Sequence, residues 1–206
     1  MQEAALKHAQ ILGFGSFDLF SRNLTWVVTR FELQVLKNIS WDNEIIVKTW
    51  SRGMIGPYAF RDFEIFDSHD QIIAKASSSW VPIDLGTRKP VVFKNEDFHD
   101  DAKINVDVGI DPSKIHLGKD DGILIKSFYV NNSDIDINHH VNNTKYVQWL
   151  YDAVTFEEQS SWAYQTIAVN YLGEARANDK INLYRKDSAF YACLENGNAI
   201  FKIKLF

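Results

Sequence analysis

A single cysteine, Cys193, stands in the 206 residues of the chain. That excludes an internal disulfide, and no His and Cys residues fall at metal-ligand spacing. The chain therefore reads as the product of a reducing compartment, the cytoplasm, with Cys193 in a packing role, since small thiols bury readily. Positive charge is also short: 22 Lys and Arg face 27 Asp and Glu, for a formal charge of −5. Nothing draws the whole molecule to nucleic acid or to an anionic bilayer. No run reaches the roughly 18 apolar residues of a membrane helix. The opening MQEAALKHAQILGFG has neither a basic leader nor a continuous apolar core, so no signal peptide is expected. What the chain does have is a 46% hydrophobic content with six Trp and fourteen Phe. This is too apolar for disorder and sufficient for one large domain or two small ones.

The spacing predicts a helix over residues 2–12, with Ala5, Leu6, Ala9 and Leu12 on one face and GFG as its stop. Four strand patterns follow: WVVTRFELQVL, EIIVKTWSRGMIG, YAFRDFEIFD and QIIAKASSSWVPID. Residues 96–121 are charged, broken by Gly and Pro and without period, and read as a linker between modules at 1–95 and 122–206. Beyond it the plan recurs, with ILIKSFYV as a strand, NTKYVQWLYDAV as a helix with Tyr146, Leu150 and Val154 at i, i+4 and i+8, and IAVNYL, KINLYRK, AFYACLE and AIFKIKLF as strands.

Trp26 and Trp162 are 136 residues apart, and the same shift lays VLKNISWDNEIIV over YLGEARANDKINL and the first helix over the second. Asp42-Asn43 then falls on Asn178-Asp179, as in a duplicated helix-plus-sheet module. The second copy has a strand ahead of its helix and the first begins at its helix, so a strand is expected before Met1.

The densest polar stretch is DIDINHHVNN, residues 134–143, which runs directly into the second helix. In an extended segment Asp136, Asn138 and His140 would share one face, while Ile135, Ile137 and Val141 face the core. Carboxylate, amide and imidazole together offer an orienting charge, a donor to an oxyanion and a general acid or base near neutral pH, the ingredients of acyl transfer. Free N–H groups at the helix start, near Val141, would favour negative charge at the same spot. The same residues equally suit a helix-capping loop, with His139 a solvated neighbour and Asn142 and Asn143 as first-turn caps. Tyr146, Trp149 and Tyr151 read as helix packing.

The string DIDINHHVNNTKYVQWLYDA resembles the signature of the fatty acyl–acyl carrier protein thioesterases of plants and bacteria, D-x-N-x-H-V-N-N-x-x-Y. LGFG, WVVTRFELQV, DNEIIVKTW and SSSWVPIDLGTRKP extend the likeness over nearly the whole chain. The resemblance implies an α+β double hotdog, two tandem modules each with an antiparallel sheet around a long central helix, the first lacking its first strand. It implies hydrolysis of acyl-acyl carrier protein to free fatty acid, ending fatty acid synthesis. The implied catalytic residues are Asp136, Asn138 and His140, joined by a strand glutamate that matches Glu174, whose counterpart in the first copy is Asn38. Plant members often carry Cys after that glutamate; here Ala175 excludes a thiol nucleophile, and water becomes the attacking group. Asn138 and a backbone N–H near Val141 would hold the oxyanion, Asp136 would orient Asn138 or the loop, and Glu174 or His140 would be the base.

The resemblance places the acyl tunnel in the first module, with Ala5, Ala9 and Leu12, and Trp50 or Phe60, as candidate walls. The partner is acyl carrier protein, for which Arg88, Lys89, Lys145, Arg176, Arg185 and Lys186 are candidate rim cations. No metal or cofactor is required, no nucleic acid or membrane span is involved, and a homodimer is left open. A hotdog acyl-CoA thioesterase, a noncatalytic acyl-binding module and a dehydratase are the competing readings.

Overall fold

The computed structural model describes residues 1–93, 107–136, 139–162 and 166–206, and the chain divides into two compact units, Met1–Ser113 and Lys114–Phe206. In the first unit, helices α1 (Gln2–Ile11) and α2 (Ser16–Ser21) precede four strands, β1 (Leu24–Val35), β2 (Ile46–Ile55), β3 (Tyr58–Phe66) and β4 (Ile72–Asp84). These pair antiparallel in the order β2-β3-β4-β1. In the second, β5 (Ile123–Tyr129) precedes helices α3 (Asn143–Tyr151) and α4 (Phe156–Ser160), and β6 (Thr166–Tyr171), β7 (Lys180–Lys186), β8 (Ala189–Leu194) and β9 (Ala199–Leu205) follow. The order here is β6-β9-β8-β7-β5, all antiparallel.

The nine strand patterns read between residues 24 and 206 all form strands, because they are rich in β-branched and aromatic residues. The two orders are one topology: β2-β3-β4-β1 matches β7-β8-β9-β6, and β5, outside β7, has no counterpart among the described residues of the first unit. The repeat is strictest in the connections after β1 and β6. Ser40 N–H donates to the Asn43 side chain (2.8 Å) and Asn43 N–H returns to the Ser40 carbonyl (3.1 Å); Arg176 and Asp179 do the same at 2.8 and 3.1 Å, each 136 residues later. The shift fails at the helices: α1 moved by 136 residues would start at 138, whereas α3 starts at Asn143. Trp162 likewise lies ahead of β6, stacked edge-on against Tyr151 (5.4 Å), while Trp26 lies within β1.

In the first unit α1 packs through Ala5 against Phe63, Ile65, Ile73, Ala74 and Ala76. Leu6, expected on that face, is half exposed, and His8 points inward to the Arg61 guanidinium (3.0 Å). Trp50 packs against Val108 and Ile110, and Phe60 lies under the Arg52 guanidinium, 5.2 Å from its carbon. In the second unit α3 buries Tyr146, Trp149 and Leu150; Val154 falls past its end. Tyr146 and Trp149 pack on Phe201 of β9, and Trp149 on Phe128 of β5.

Of the expected linker 96–121, residues 96–106 lie outside the described residues. The rest carries buried anchors between exposed residues: Val108, Ile110, Ile115 and Leu117 are buried. Strand side chains answer its backbone, Asp62 accepting from Val108 N–H (3.2 Å) and Glu32 from Ser113 N–H (3.1 Å) in the first unit. Asn170 accepts from Ile115 N–H (2.8 Å) in the second.

Candidate active site

The polar loop between β5 and α3 is tied at both ends by one buried residue, Asp134. Its carboxylate accepts from Asn131 N–H (3.1 Å) and faces the Lys145 ammonium (3.5 Å), and its carbonyl accepts from Asn142 N–H (2.9 Å). Between these ties the chain reverses. Ile135 and Val141 form an antiparallel bridge, Asp136 N–H donates to the His140 carbonyl (2.9 Å), and His139 N–H donates to the Asp136 carbonyl (3.0 Å). His139 sits in the left-handed region at φ 62°. The segment is therefore a closed reversal and not the extended run from which a shared face was expected. Alternation cannot carry through backbone bonds that join residues four apart. Asp136 and His140 are half-buried and His139 is exposed. Asn138 lies outside the described residues.

Asn142 is the cap of α3: its side-chain oxygen accepts from Thr144 N–H (3.0 Å) and the Thr144 hydroxyl (2.8 Å), and its carbonyl from Lys145 N–H (2.9 Å). The capping role read from sequence is present, and it engages two first-turn N–H groups within the helix start itself.

The expected glutamate comes from the β6–β7 connection. Glu174 is not on a strand, since β6 ends at Tyr171. Leu172 and Gly173 both donate to the Ile200 carbonyl (2.7 and 3.1 Å), which draws the connection onto β9. The approach is so close that a Cβ on Gly173 would stand 2.8 Å from the Ala199 carbonyl oxygen. Ala175, fully buried, follows Glu174, and its carbonyl accepts from Val141 N–H at 2.9 Å. This bond corrects one expectation: the Val141 N–H is committed to Ala175 and has no hydrogen left for an oxyanion. Arg176 to Asp179 then turn back, with Asn178 N–H on the Val130 carbonyl (3.1 Å) and Val130 N–H on the Asp179 carbonyl (2.9 Å).

These anchors bring together two side chains 34 residues apart in sequence. His140 Nε2 stands 3.3 Å from Glu174 Oε2, the imidazole one-quarter exposed and the carboxylate 37% exposed. A carboxylate and an imidazole in contact, both reachable by solvent, can pass a proton to or from water. A residue read only as packing also belongs to the site. Tyr146 is 2% exposed, and the Glu174 and Asp136 charges are felt at its hydroxyl. Burial first and those carboxylates second push the phenol up to about 12, so it stays neutral. The signal was the final tyrosine of the motif itself.

The remaining candidates are placed elsewhere. Arg185 pairs with Glu158 (3.1 Å), so its charge is already matched. Cys193 is buried, and burial raises its thiol, which keeps it protonated and inert. Among the described residues no three His, Cys, Asp or Glu side chains could hold a metal ion, and no helix is long and apolar enough to cross a membrane.

Comparison with known proteins supplies the context for this pair. A chloroplastic acyl-[acyl-carrier-protein] hydrolase of Cuphea viscosissima is 30% identical over 187 residues, 85% of this chain and 45% of that protein. A chloroplastic oleoyl-acyl carrier protein thioesterase of Coriandrum sativum is 26% identical over 88% of the chain and 54% of its own length. The chain thus spans about half the length of the curated relatives it matches. Among solved structures, an acyl-ACP thioesterase from Bacteroides thetaiotaomicron superposes with a TM-score of 0.85 at 23% identity, covering 98% of this chain and 84% of that one. The 12:0-ACP thioesterase from Umbellularia californica gives 0.81 at 24% identity, over 100% and 85%. These likenesses establish the hotdog fold. Residues 1–100 match the model of the acyl-ACP thioesterase N-terminal domain and residues 118–203 that of its C-terminal domain, so the chain belongs to the acyl-ACP thioesterase family.

Proposed function

We propose that this protein hydrolyses the thioester of a fatty acyl–acyl carrier protein and so releases free fatty acid, ending fatty acid synthesis. The observation that carries the reading is the contact of His140 with Glu174, 3.3 Å apart, beside Ala175 where a thiol would have been a nucleophile. Water attacks the thioester carbonyl carbon, and its proton passes to the His140–Glu174 pair; whichever of the two takes it, the other balances the charge. Asn138 donates to the oxyanion of the tetrahedral intermediate, in place of the Val141 N–H. Asp136 holds the loop reversal through its N–H to the His140 carbonyl (2.9 Å). Collapse of the intermediate breaks the C–S bond, the proton goes to the departing carrier thiolate, and the fatty acid leaves.

The second unit supplies this chemistry and the first takes the acyl chain. Acyl carrier protein is acidic, and Arg176, two residues from Glu174, together with Lys145 gives it a cationic approach. A reducing, cytoplasm-like setting suits a chain whose one thiol is unpaired and buried.

The test is release of free acid from a panel of acyl–acyl carrier proteins, with matched acyl-CoAs beside them. Glu174→Ala should lower kcat by about 10²- to 10⁴-fold, the worth of a general base. Asn138→Ala should cost about 10²- to 10³-fold, the worth of one oxyanion donor. Faster turnover of the CoA esters would replace the carrier-protein reading with the acyl-CoA one. No turnover of either would leave an acyl-binding module.

A further inference from the structure

Helix α3 begins with a charge of the wrong sign. Its first turn holds no acidic residue but carries Lys145, and a cation there faces the positive end of the helix dipole. The answering charge comes from outside the helix. Asp134 sets its Oδ1 3.5 Å from Lys145 Nζ, with the carboxylate side chain 8% exposed and the lysine side chain 26%. Its Oδ2 accepts from Asn131 N–H (3.1 Å), and its carbonyl accepts from Asn142 N–H (2.9 Å). One buried residue thus joins the turn after β5, the base of the polar reversal and the first turn of α3.

His140 stands on that reversal, separated from its base only by the Ile135–Val141 bridge. The His140 carbonyl accepts from Asp136 N–H (2.9 Å), and the next N–H, that of Val141, donates to the carbonyl of Ala175 (2.9 Å), the neighbour of Glu174. These bonds set where the imidazole stands relative to the carboxylate, and a loop this short passes a shift at its base on to His140. We propose that Asp134 is a positioning residue of the hydrolytic site: its charge on Lys145 fixes the polar loop to α3 and so holds His140 against Glu174. The inference rests on the thioesterase reading for its catalytic consequence and on the contacts of Asp134 for the strut. Lys145 then has a task in the loop that is separable from any attraction of an acidic partner.

Asp134→Asn isolates the charge, since an amide oxygen can still accept from Asn131 N–H and the backbone carbonyl is untouched. The expected result is a fall in kcat of about tenfold or more with KM for acyl–acyl carrier protein within about twofold, because displacement of a catalytic group by about 1 Å is felt in the chemical step. Lys145→Met should lose a similar amount, and the double variant no more than either alone, as the halves of one contact do. Independently of turnover, the Asn142 and Val141 amides should exchange about tenfold faster in Asp134→Asn, read by NMR, with the melting curve reporting that the variant is folded. A merely structural role would lower the melting temperature and leave kcat of the folded variant at the parent value, and that result would overturn the proposal. So would additive losses in the double variant, or a Lys145→Met whose loss lies in KM alone. If the parent hydrolyses no acyl thioester, the thioesterase reading falls while the two amides still decide the strut, which unchanged exchange would end.

Discussion

Gly173 sits where two requirements meet: the chain must touch β9 and must then deliver Glu174. A methyl group there would stand 2.8 Å from the Ala199 carbonyl oxygen, inside any real contact, and backbone cannot yield as a side chain could. Gly173→Ala is therefore expected to destabilise by about 1–3 kcal/mol, as overpacking does. It should also reduce kcat more than tenfold, roughly the effect of a base displaced by a fraction of an ångström to 1 Å. Urea unfolding and steady-state kinetics on one preparation would check both. At this scale the sequence was informative about identity and uninformative about role. Asp136, His140 and Glu174 could be named from the resemblance, but the resemblance could not tell that Val141 N–H faces the Ala175 carbonyl. That bond joins residues 34 positions apart. No spacing rule on one segment reports it.

Among the elements, α1 shows how a polar residue can dock a helix. His8 faces Arg61 of β3 at 3.0 Å, and a guanidinium can only donate, so His8 Nδ1 is the acceptor and the imidazole is neutral. Burial, with the nearby Arg61 charge behind it, lowers the His8 value below its ordinary one. The unfolded chain therefore takes up this proton first as pH falls, near about 6.5. The stability held by neutral His8 is complete above that value and is lost as pH drops toward the lower folded value. Thermal melts between pH 7.5 and 5.5 should show the loss in the parent, and a smaller one in His8→Gln, which keeps an acceptor that does not titrate. At the start of α3, Asn142→Ala should cost about 1 kcal/mol of stability, the worth of an N-cap, in a denaturant titration. The helices were legible from period and caps. Their inward faces were less so, because Leu6 met solvent while His8 and Ala5 met the sheet.

For the whole molecule, the segment leaving the first unit is held by charge as well as by packing. Asp62, with no exposure, accepts from the Ser77 hydroxyl (2.7 Å) and Val108 N–H (3.2 Å) and faces Arg52 (3.6 Å). Arg52 reaches on to Asp107 (2.9 Å) and Asp111 (3.1 Å). Asp62→Ala would leave the Ser77 hydroxyl and the Val108 N–H without their acceptor, while Arg52 keeps Asp107 and Asp111. A loss of about 2–3 kcal/mol is expected, the cost of buried donors left without an acceptor. Limited proteolysis should cut the variant first near 107–111. Sequence composition read this stretch as a linker because its charges and glycines are what composition reports; that Asp62 and Trp50 wait for it on the sheet is not written near it.

What the sequence by itself determined is the set of local choices: nine strands from segments rich in β-branched and aromatic residues, two main helices from their period, a duplicated turn 136 residues apart, and a signature specific enough to name a family. Each of these is fixed by neighbours within about ten residues, where side-chain direction follows directly from backbone period. Tertiary structure alone decided that the polar stretch closes on itself rather than extends, that Glu174 reaches His140, and that the Ala175 carbonyl beside Glu174 takes the Val141 N–H. Those outcomes depend on which strand lies beside which and in what register. Register is set by the burial of whole sheets, so it becomes visible only when they have packed.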